Sequence, residues 1–481
     1  MDTLVDLLGS FPRHGNKPLF WAPGEILSYA DAHQGALALA GYLRANGLGP
    51  GDEVLITLGN GSAFPIALLG VAAAGCSVIL ADRDSSGQVL GGGGAKRPAA
   101  HVHDYAGAAR VELGSAPGAS APLPRLPASG SGAPGSLPPR EPGDLACILY
   151  TSGSSGMGRG VLKTHANLMV ELADLADILA RPGDRFLSVL PWSYIYGLLH
   201  HLLLPMYVGG TACHLRGYTP AELLDTVARQ DVDVFVGVPA LYRVLAGVPG
   251  TLRRDDLSWA VSSGAPLDAT TAARIYKRLG WRVVEFYGST ESGGISFNPD
   301  KQSHGDSVGQ AMPHIQIRGL PRRQGVGVLE VRGPTVSDWA HEGTGKIRLT
   351  DAEGWYATND TGSLDSRGRL RLTGRVGRLI KVAGKRVSLD GIEAALLSLP
   401  GVMDATVSAR YDRLHGEVPV ADVVPAPGSG LSSEGLLRNC KLLLPAHQRP
   451  RQIRLCRLIK RRRVSKAPLA AAPETEPLDK P

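Results

Sequence analysis

The chain is expected to fold as an α/β protein, with a large N-terminal domain of layered sheets and helices, a small β-rich subdomain, and a small α+β unit at the C-terminal end. Three observations carry this expectation. Helix-like and strand-like patterns alternate through the first hundred residues and again from Asp144 to about Leu267, as they do where helices are layered on sheets. Beyond Gly309 the pattern turns strand-rich, as in Gly327 to Arg332 and Gly368 to Leu372. The length of 481 residues also exceeds one core, since single cores stop growing at roughly 250 to 300 residues.

Taken in order, Ser28 to Ala45 reads as a helix. Ser28 can cap it, and Tyr29, Ala32, Ala36, Leu39 and Leu43 fall on one face. A strand, Glu53 to Leu58, follows the turn Gly51-Asp52. The longest apolar stretch, Ala63 to Ala81, is punctuated by Pro65, Gly70 and Gly75, so it is expected to form a buried helix, a turn at Gly75 and a buried strand rather than a membrane span. Residues 114–143 are rich in Pro, Gly, Ala and Ser. They have too little apolar surface to offset ordering entropy and are expected to form a flexible surface excursion. Within them, Gly130 to Gly135 matches the GxGxxG pattern formally, but it follows no strand and opens no helix, so low complexity explains it. Strands are expected at Phe186 to Leu190 and Val232 to Val238, and a helix at Asp390 to Leu397. A hinge near Arg375 to Gly377 divides the chain into residues 1–375 and 376–481.

The five cysteines are scattered and form no CxxC pair, and no basic and apolar leader is evident, so a reducing cytoplasm is expected. The formal charge of +7 peaks at Lys460-Arg461-Arg462-Arg463. Basic residues are otherwise spread throughout, without the interleaved aromatics of a single-strand binder. A solvated basic face or a polyphosphate site is expected, and neither nucleic acid nor a membrane is expected as a partner.

The strongest local motif runs from Ala146 to Val161. An apolar strand ending in Tyr150 opens into Thr151, Ser152, Gly153, Ser154, Ser155 and Gly156, with Arg159 just beyond. Amides and hydroxyls of such a loop can close around phosphate oxygens, and a basic residue adds charge. Tyr150 to Val161 resembles the phosphate loop of the adenylate-forming superfamily: acyl- and aryl-CoA synthetases, peptide-synthetase adenylation domains and luciferases. Where that family usually has Pro-Lys-Gly, this chain has Gly158-Arg159-Gly160.

Further motifs resemble the same family in the same order, over roughly Leu145 to Lys466. In Glu285 to Gly294, the resemblance implies that Tyr287 stacks on adenine beside Gly288 and Ser289, Thr290 binds phosphate, and Glu291 places Mg²⁺. A π-face, a hydroxyl and a hard carboxylate suit these tasks. Asp360, within Tyr356 to Gly362, and Arg375 inherit the ribose hydroxyls, with Asn359 in place of the usual Gly. Arg378 to Val387 resembles the start of a mobile C-terminal domain, with Gly377 at the hinge position where an acidic residue or Lys is usual. Lys466 stands where the family carries its catalytic Lys, with Ser465 for Gly; its ammonium would stabilise charge as pyrophosphate leaves.

The family lines its nucleotide and acid sites with segments that here contain Trp192, Tyr194 and Tyr196; Gly264, Ala265 and Pro266; and Gly293 and Gly294. The first segment lacks the Asp with which peptide-synthetase domains hold an α-ammonium, which disfavours an α-amino acid. The resemblance therefore implies ATP- and Mg²⁺-dependent adenylation of a small aromatic or short-chain acid, then transfer to a thiol of coenzyme A or of phosphopantetheine on a carrier protein, by a monomer or homodimer. Two alternatives stay open. One is an adenylating enzyme with a non-carboxylate oxyacid or an amine acceptor. The other, prompted by the substitutions at Gly158, Asn359, Gly377 and Ser465, is a degenerate nucleotide-binding protein.

Overall fold

The computed structural model describes residues 1–81, 98–105, 108–114, 120–122, 138–151, 159–248, 257–299, 307–319, 327–342, 345–376, 378–382, 385–412, 416–460 and 474–477. Among them, two nine-stranded sheets form the large N-terminal body. The first runs parallel from Pro18–Ala22 through Thr211–His214, Arg185–Ser188, Val234–Gly237 and Trp259–Ser262 to Val283–Ser289. The second is parallel across Leu145–Thr151, Ser77–Leu80, Glu53–Ile56 and Ala100–Tyr105, with antiparallel strands at both ends. Parallel strands are covered on both faces, and Ser77–Leu80, Thr211–His214 and Val234–Gly237 are accordingly buried along their whole length.

Pleating decides which core each residue joins. Val234 and Val236 face the same cluster as Val54, Ile56 and Val78 of the second sheet. The intervening Phe235 faces a separate cluster built with Leu223, Leu245 and Ile275 from three outer helices. Between the sheets lie Tyr29–Ala45, Ala63–Ala73 and His165–Leu179. The expected helix, turn and strand between Ala63 and Ala81 are seen as Ala63–Ala73, Gly75 at φ +92° and Ser77–Leu80. Among the described residues no helix is long and apolar enough to cross a membrane.

A four-stranded antiparallel sheet follows: Gln316–Arg318, Gly327–Arg332, Tyr356–Leu364 and Leu370–Arg375. The small C-terminal unit packs Leu389–Leu397 and Ser433–Leu443 on its own sheet around Ile380, Val407 and Val423. At its start, Arg378 ion-pairs with Asp390 and, at 2.8 Å, with Glu393. Gly377 lies outside the described residues.

The excursion expected over 114–143 is corrected in two places. Ser120–Pro122 extends the second sheet by pairing with Ala108–Leu113. Arg140 donates to the carbonyls of Gly75 at 2.8 Å and Leu145 at 3.0 Å. A sheet edge and a helix exit both leave backbone groups in need of partners, and these segments satisfy them where composition alone suggested none. Residues 123–137, with the GxGxxG look-alike, lie outside the described residues.

Gly70 sets how closely two of the sandwiched helices approach, because a Cβ there would stand 2.9 Å from Ala36 O and Leu39 Cβ. Gly70→Val is expected to cost about 1–3 kcal/mol through overpacking, read as a lower urea midpoint at unchanged m-value.

Candidate active site

The parallel strands of the first sheet end at one edge, where ligands bind in open α/β sheets. The segments that follow those strands converge there. The Tyr196 hydroxyl donates to Gly237 O and Val261 O, each at 3.2 Å, which moors the Pro191–Gly197 segment to two neighbouring strand ends. Gly264, Ala265 and Pro266 form an exposed turn after Trp259–Ser262. Leu267 N donates to Glu285 Oε1 at 3.2 Å and ties that turn to the strand carrying Tyr287. Ser262 Oγ is buried beside the turn with no hydrogen-bond partner among the described residues.

Trp192 was expected to line the acid pocket and does not. It is fully buried, edge-on to Phe20 and Phe64, and its indole Nε1 donates to His201 Nδ1 at 3.0 Å. A large ring one position after Pro191 finds more apolar contact in the core between the sheets than at an open edge. Tyr194 and Tyr196 stay half-buried.

Tyr287, Asp360 and Arg375 come together from distant parts of the sequence. The Tyr287 hydroxyl donates to one Asp360 oxygen, and Arg375 Nε pairs with the other at 2.5 Å. Burial, with the Asp360 carboxylate beside it, keeps the Tyr287 phenol protonated. Asp360 and Arg375 are also register partners in the antiparallel pair Tyr356–Leu364 and Leu370–Arg375. Asn359 sits at φ +62°, the left-handed region that Asn tolerates better than other residues with a Cβ. The substitution for the family's usual Gly thus keeps the bend that aims Asp360.

Glu291 occupies the turn between Val283–Ser289 and Gly293–Phe297. Thr290 is half-buried at the turn, while Glu291 is buried. Ser289 Oγ accepts Ser292 N at 3.1 Å and closes the turn. Ser337 N donates to Glu291 O at 2.8 Å, and Thr335 Oγ1 to Ser292 O at 2.8 Å. Gly293, at φ +69°, leaves room for Glu171, whose Oε2 would be 2.4 Å from a Cβ there. Gly294 N donates to Glu171 Oε1 at 2.7 Å. Gly293 and Gly294 therefore form a tightly backed wall.

Lys163 and Glu171 are the supports that sequence reasoning missed. Lys163 is wholly buried and donates to Thr335 O at 2.8 Å and Glu291 O at 3.4 Å. Burial pushes its ammonium below the usual range, and it pushes the Glu171 carboxyl up to about 7 despite the Lys163 charge. The available signal was pleat parity: in Arg159–Thr164 the inward positions are Val161 and Lys163, and a Lys facing inward demands partners.

The hairpin whose loop was expected to bind phosphate adjoins the Glu291 turn through Lys163. Thr151 and Arg159 are register partners at the mouth of the hairpin Leu145–Thr151 and Arg159–Thr164. Ser152, Gly153, Ser154, Ser155, Gly156 and also Lys466 lie outside the described residues. Arg159 pairs with Glu342 at 2.9 Å, both partly exposed, and such a pair exchanges readily. Tyr356, buried and with its phenol raised by burial, lies in the combined field of Glu291, Arg159, Asp360 and Arg375. Lys163 of the hairpin donates to Glu291 O, and Tyr287, four residues before Glu291, donates to Asp360, so the hairpin, the Glu291 turn and the Asp360 pair adjoin one another.

A profile of the AMP-binding enzymes matches residues 10–92 and 94–338, and one of the AMP-binding enzyme C-terminal domain matches 391–466. The chain belongs to the AMP-binding enzyme family. This is the adenylate-forming superfamily that its motifs resemble, and the chain is an AMP-forming ligase of that family. It is similar to 4-coumarate–CoA ligase 2 of Nicotiana tabacum, with 26% identity over 457 residues, 85% of this chain and 82% of that one. Feruloyl-CoA synthase of Amycolatopsis is 27% identical over 461 residues, covering 89% and 90%. The structure of O-succinylbenzoate coenzyme A synthetase from Bacillus subtilis in complex with AMP shares the fold, with a TM-score of 0.80 at 20% identity and coverage of 94% and 95%.

The Glu171 carboxyl binds its proton more tightly in the folded protein, about 7 against an ordinary 4.5. Its contribution to stability is therefore full below pH 4.5 and lost as pH rises through 7. Glu171→Gln is expected to flatten the decline in unfolding free energy across that window, measured by urea denaturation at stepped pH.

Proposed function

We propose that the protein uses Mg-ATP to adenylate a small carboxylic acid, aromatic or short-chain and not an α-amino acid, and passes the acyl group to the thiol of coenzyme A. The observation that carries this reading is the cluster of Tyr287, Asp360 and Arg375 beside the Glu291 turn. Even with Tyr287 and Arg375 on it, the Asp360 carboxylate has acceptor capacity left for ribose hydroxyls, and Arg375 has further donors. Glu291 offers one hard oxygen ligand next to the hairpin that bears the phosphate loop. That donor set suits Mg²⁺, which is usually held by one or two carboxylates together with substrate phosphates. Bound there, Mg²⁺ would neutralise phosphate charge.

In the first step an oxygen of the acid attacks the α-phosphorus, the bond to the β-phosphate bridging oxygen breaks, and pyrophosphate leaves. In the second the thiol sulfur attacks the acyl carbon, its proton is lost to solvent, and AMP leaves. Thr290 and Arg159 would meet phosphate oxygens, and Lys466 would donate to the acid and α-phosphate oxygens during the first step. Three observations support the acid class: the absence of an Asp from Pro191 to Gly197, the tyrosines Tyr194 and Tyr196 in that segment, and relatives named for coumarate and ferulate. Five buried free cysteines support a cytoplasmic setting. Gly377 would supply the hinge between residues 1–375 and 376–481.

Pyrophosphate exchange into ATP, screened over small aromatic and aliphatic acids, tests the first half-reaction, and thioester formation on adding coenzyme A tests the second. Exchange without thioester would redirect the reading to another acceptor. The absence of exchange with every acid would end it. Lys466→Ala is expected to lower exchange by ~10²-fold or more while sparing thioester formation from supplied acyl-AMP; equal loss of both steps would contradict its role. Asp360→Ala is expected to raise the KM for ATP.

A further inference from the structure

Away from the nucleotide cleft, the outer end of the second sheet gathers three metal-ligating side chains. His101 and His103 are two residues apart on Ala100–Tyr105 and so share a face. Glu112, on Ala108–Leu113, is the antiparallel register partner of His101 and points the same way. One ligand atom from each of the three lies within 4.8 Å of the others. The two imidazoles are 4.7 Å apart between centroids. His103 Nε2 is 3.7 Å from a Glu112 oxygen, too far for a hydrogen bond, and it is buried with no hydrogen-bond partner among the described residues. His101 Nε2 is 2.8 Å from Thr57 Oγ1.

We propose that His101, His103 and Glu112 form a three-ligand site for a borderline divalent cation of the zinc type, with the remaining coordination position open to water. The donor set is the argument for the class, because two imidazoles and a carboxylate suit zinc, whereas magnesium prefers all-oxygen surroundings. Metal–ligand bonds of about 2.0–2.2 Å place adjacent tetrahedral ligands roughly 3.3 Å apart. The 3.7 Å gap between His103 and Glu112 closes to that value with a small side-chain movement. A ligating histidine is oriented by a hydrogen-bond partner on its second ring nitrogen, and with Thr57 on His101 Nε2 the nitrogen left for the ion is Nδ1. The ion would cross-link Ala100–Tyr105 to Ala108–Leu113 and, through Thr57, to the end of Glu53–Ile56. Arg110 is the register partner of His103 on the same face, so its guanidinium opposes a cation there and weakens its binding.

The test is isothermal titration of the untagged full chain with Zn²⁺ after chelator treatment and desalting, in millimolar Mg²⁺. One equivalent of Zn²⁺ is expected to bind and to raise the unfolding temperature. His103→Ala and the near-isosteric Glu112→Gln should each weaken binding by ~10-fold or more, and Arg110→Ala should tighten it. Circular dichroism of each variant separates loss of ligand from loss of fold. No binding by the wild-type chain, or equal binding by folded Glu112→Gln and wild type, would overturn the site. Adenylation is not the readout, so either result leaves the nucleotide cleft untouched.

Discussion

The Asp360 carboxylate is the point on which the cleft depends. It is nearly buried, and a buried anion is tolerated only where donors surround it. Tyr287 supplies one from the parallel sheet and Arg375 another from the four-stranded sheet. The same oxygen pair therefore joins two sheets that have no strand in common. It also sets the end of Leu370–Arg375, from which the chain passes into the C-terminal unit. The ion pair is charge-assisted and largely desolvated, so removing either partner would leave an uncompensated charge.

The second constraint lies beneath the Glu291 turn. Lys163 reaches its ammonium to two backbone carbonyls, and Glu171 receives Gly294 N, so the turn is held from the core side by charged groups rather than by apolar packing. These charges cost desolvation, visible in the opposite displacement of the two groups' proton affinities. In return the turn keeps its backbone carbonyls partnered while Thr290 remains at its half-buried rim. The hairpin Leu145–Thr151 and Arg159–Thr164 contributes Lys163 itself, so that hairpin and the Glu291 turn share a buried support.

Much of this was legible in the residues. Ser28 caps the helix where it was expected to, and Tyr29, Ala32, Ala36, Leu39 and Leu43 are all buried. Gly75 turns between a buried helix and a buried strand. These features are local: capping, periodicity and φ are set within a few residues. Trp192 was misread because aromatic residues serve pockets and cores equally well, and only the packing of Phe20, Phe64 and His201 around it decides between them. The strand at Ser120–Pro122 was hidden because a low-complexity segment carries no period, and its order comes from the open edge of Ala108–Leu113.

By itself the sequence determined the fold class, the order of the motifs and the family they resemble, because each rests on short-range chemistry or on residue identity. The tertiary structure alone decided that Tyr287 would bond Asp360, that Lys163 would lie under Glu291, and that His101, His103 and Glu112 would meet on one sheet face. Tyr287 and Asp360 are 73 positions apart, Lys163 and Glu291 128, and His101 and Glu112 11. No periodicity or propensity spans the two longer separations, and the shortest depends on the register of one antiparallel pair; register, crossover and burial set them once the sheets have formed.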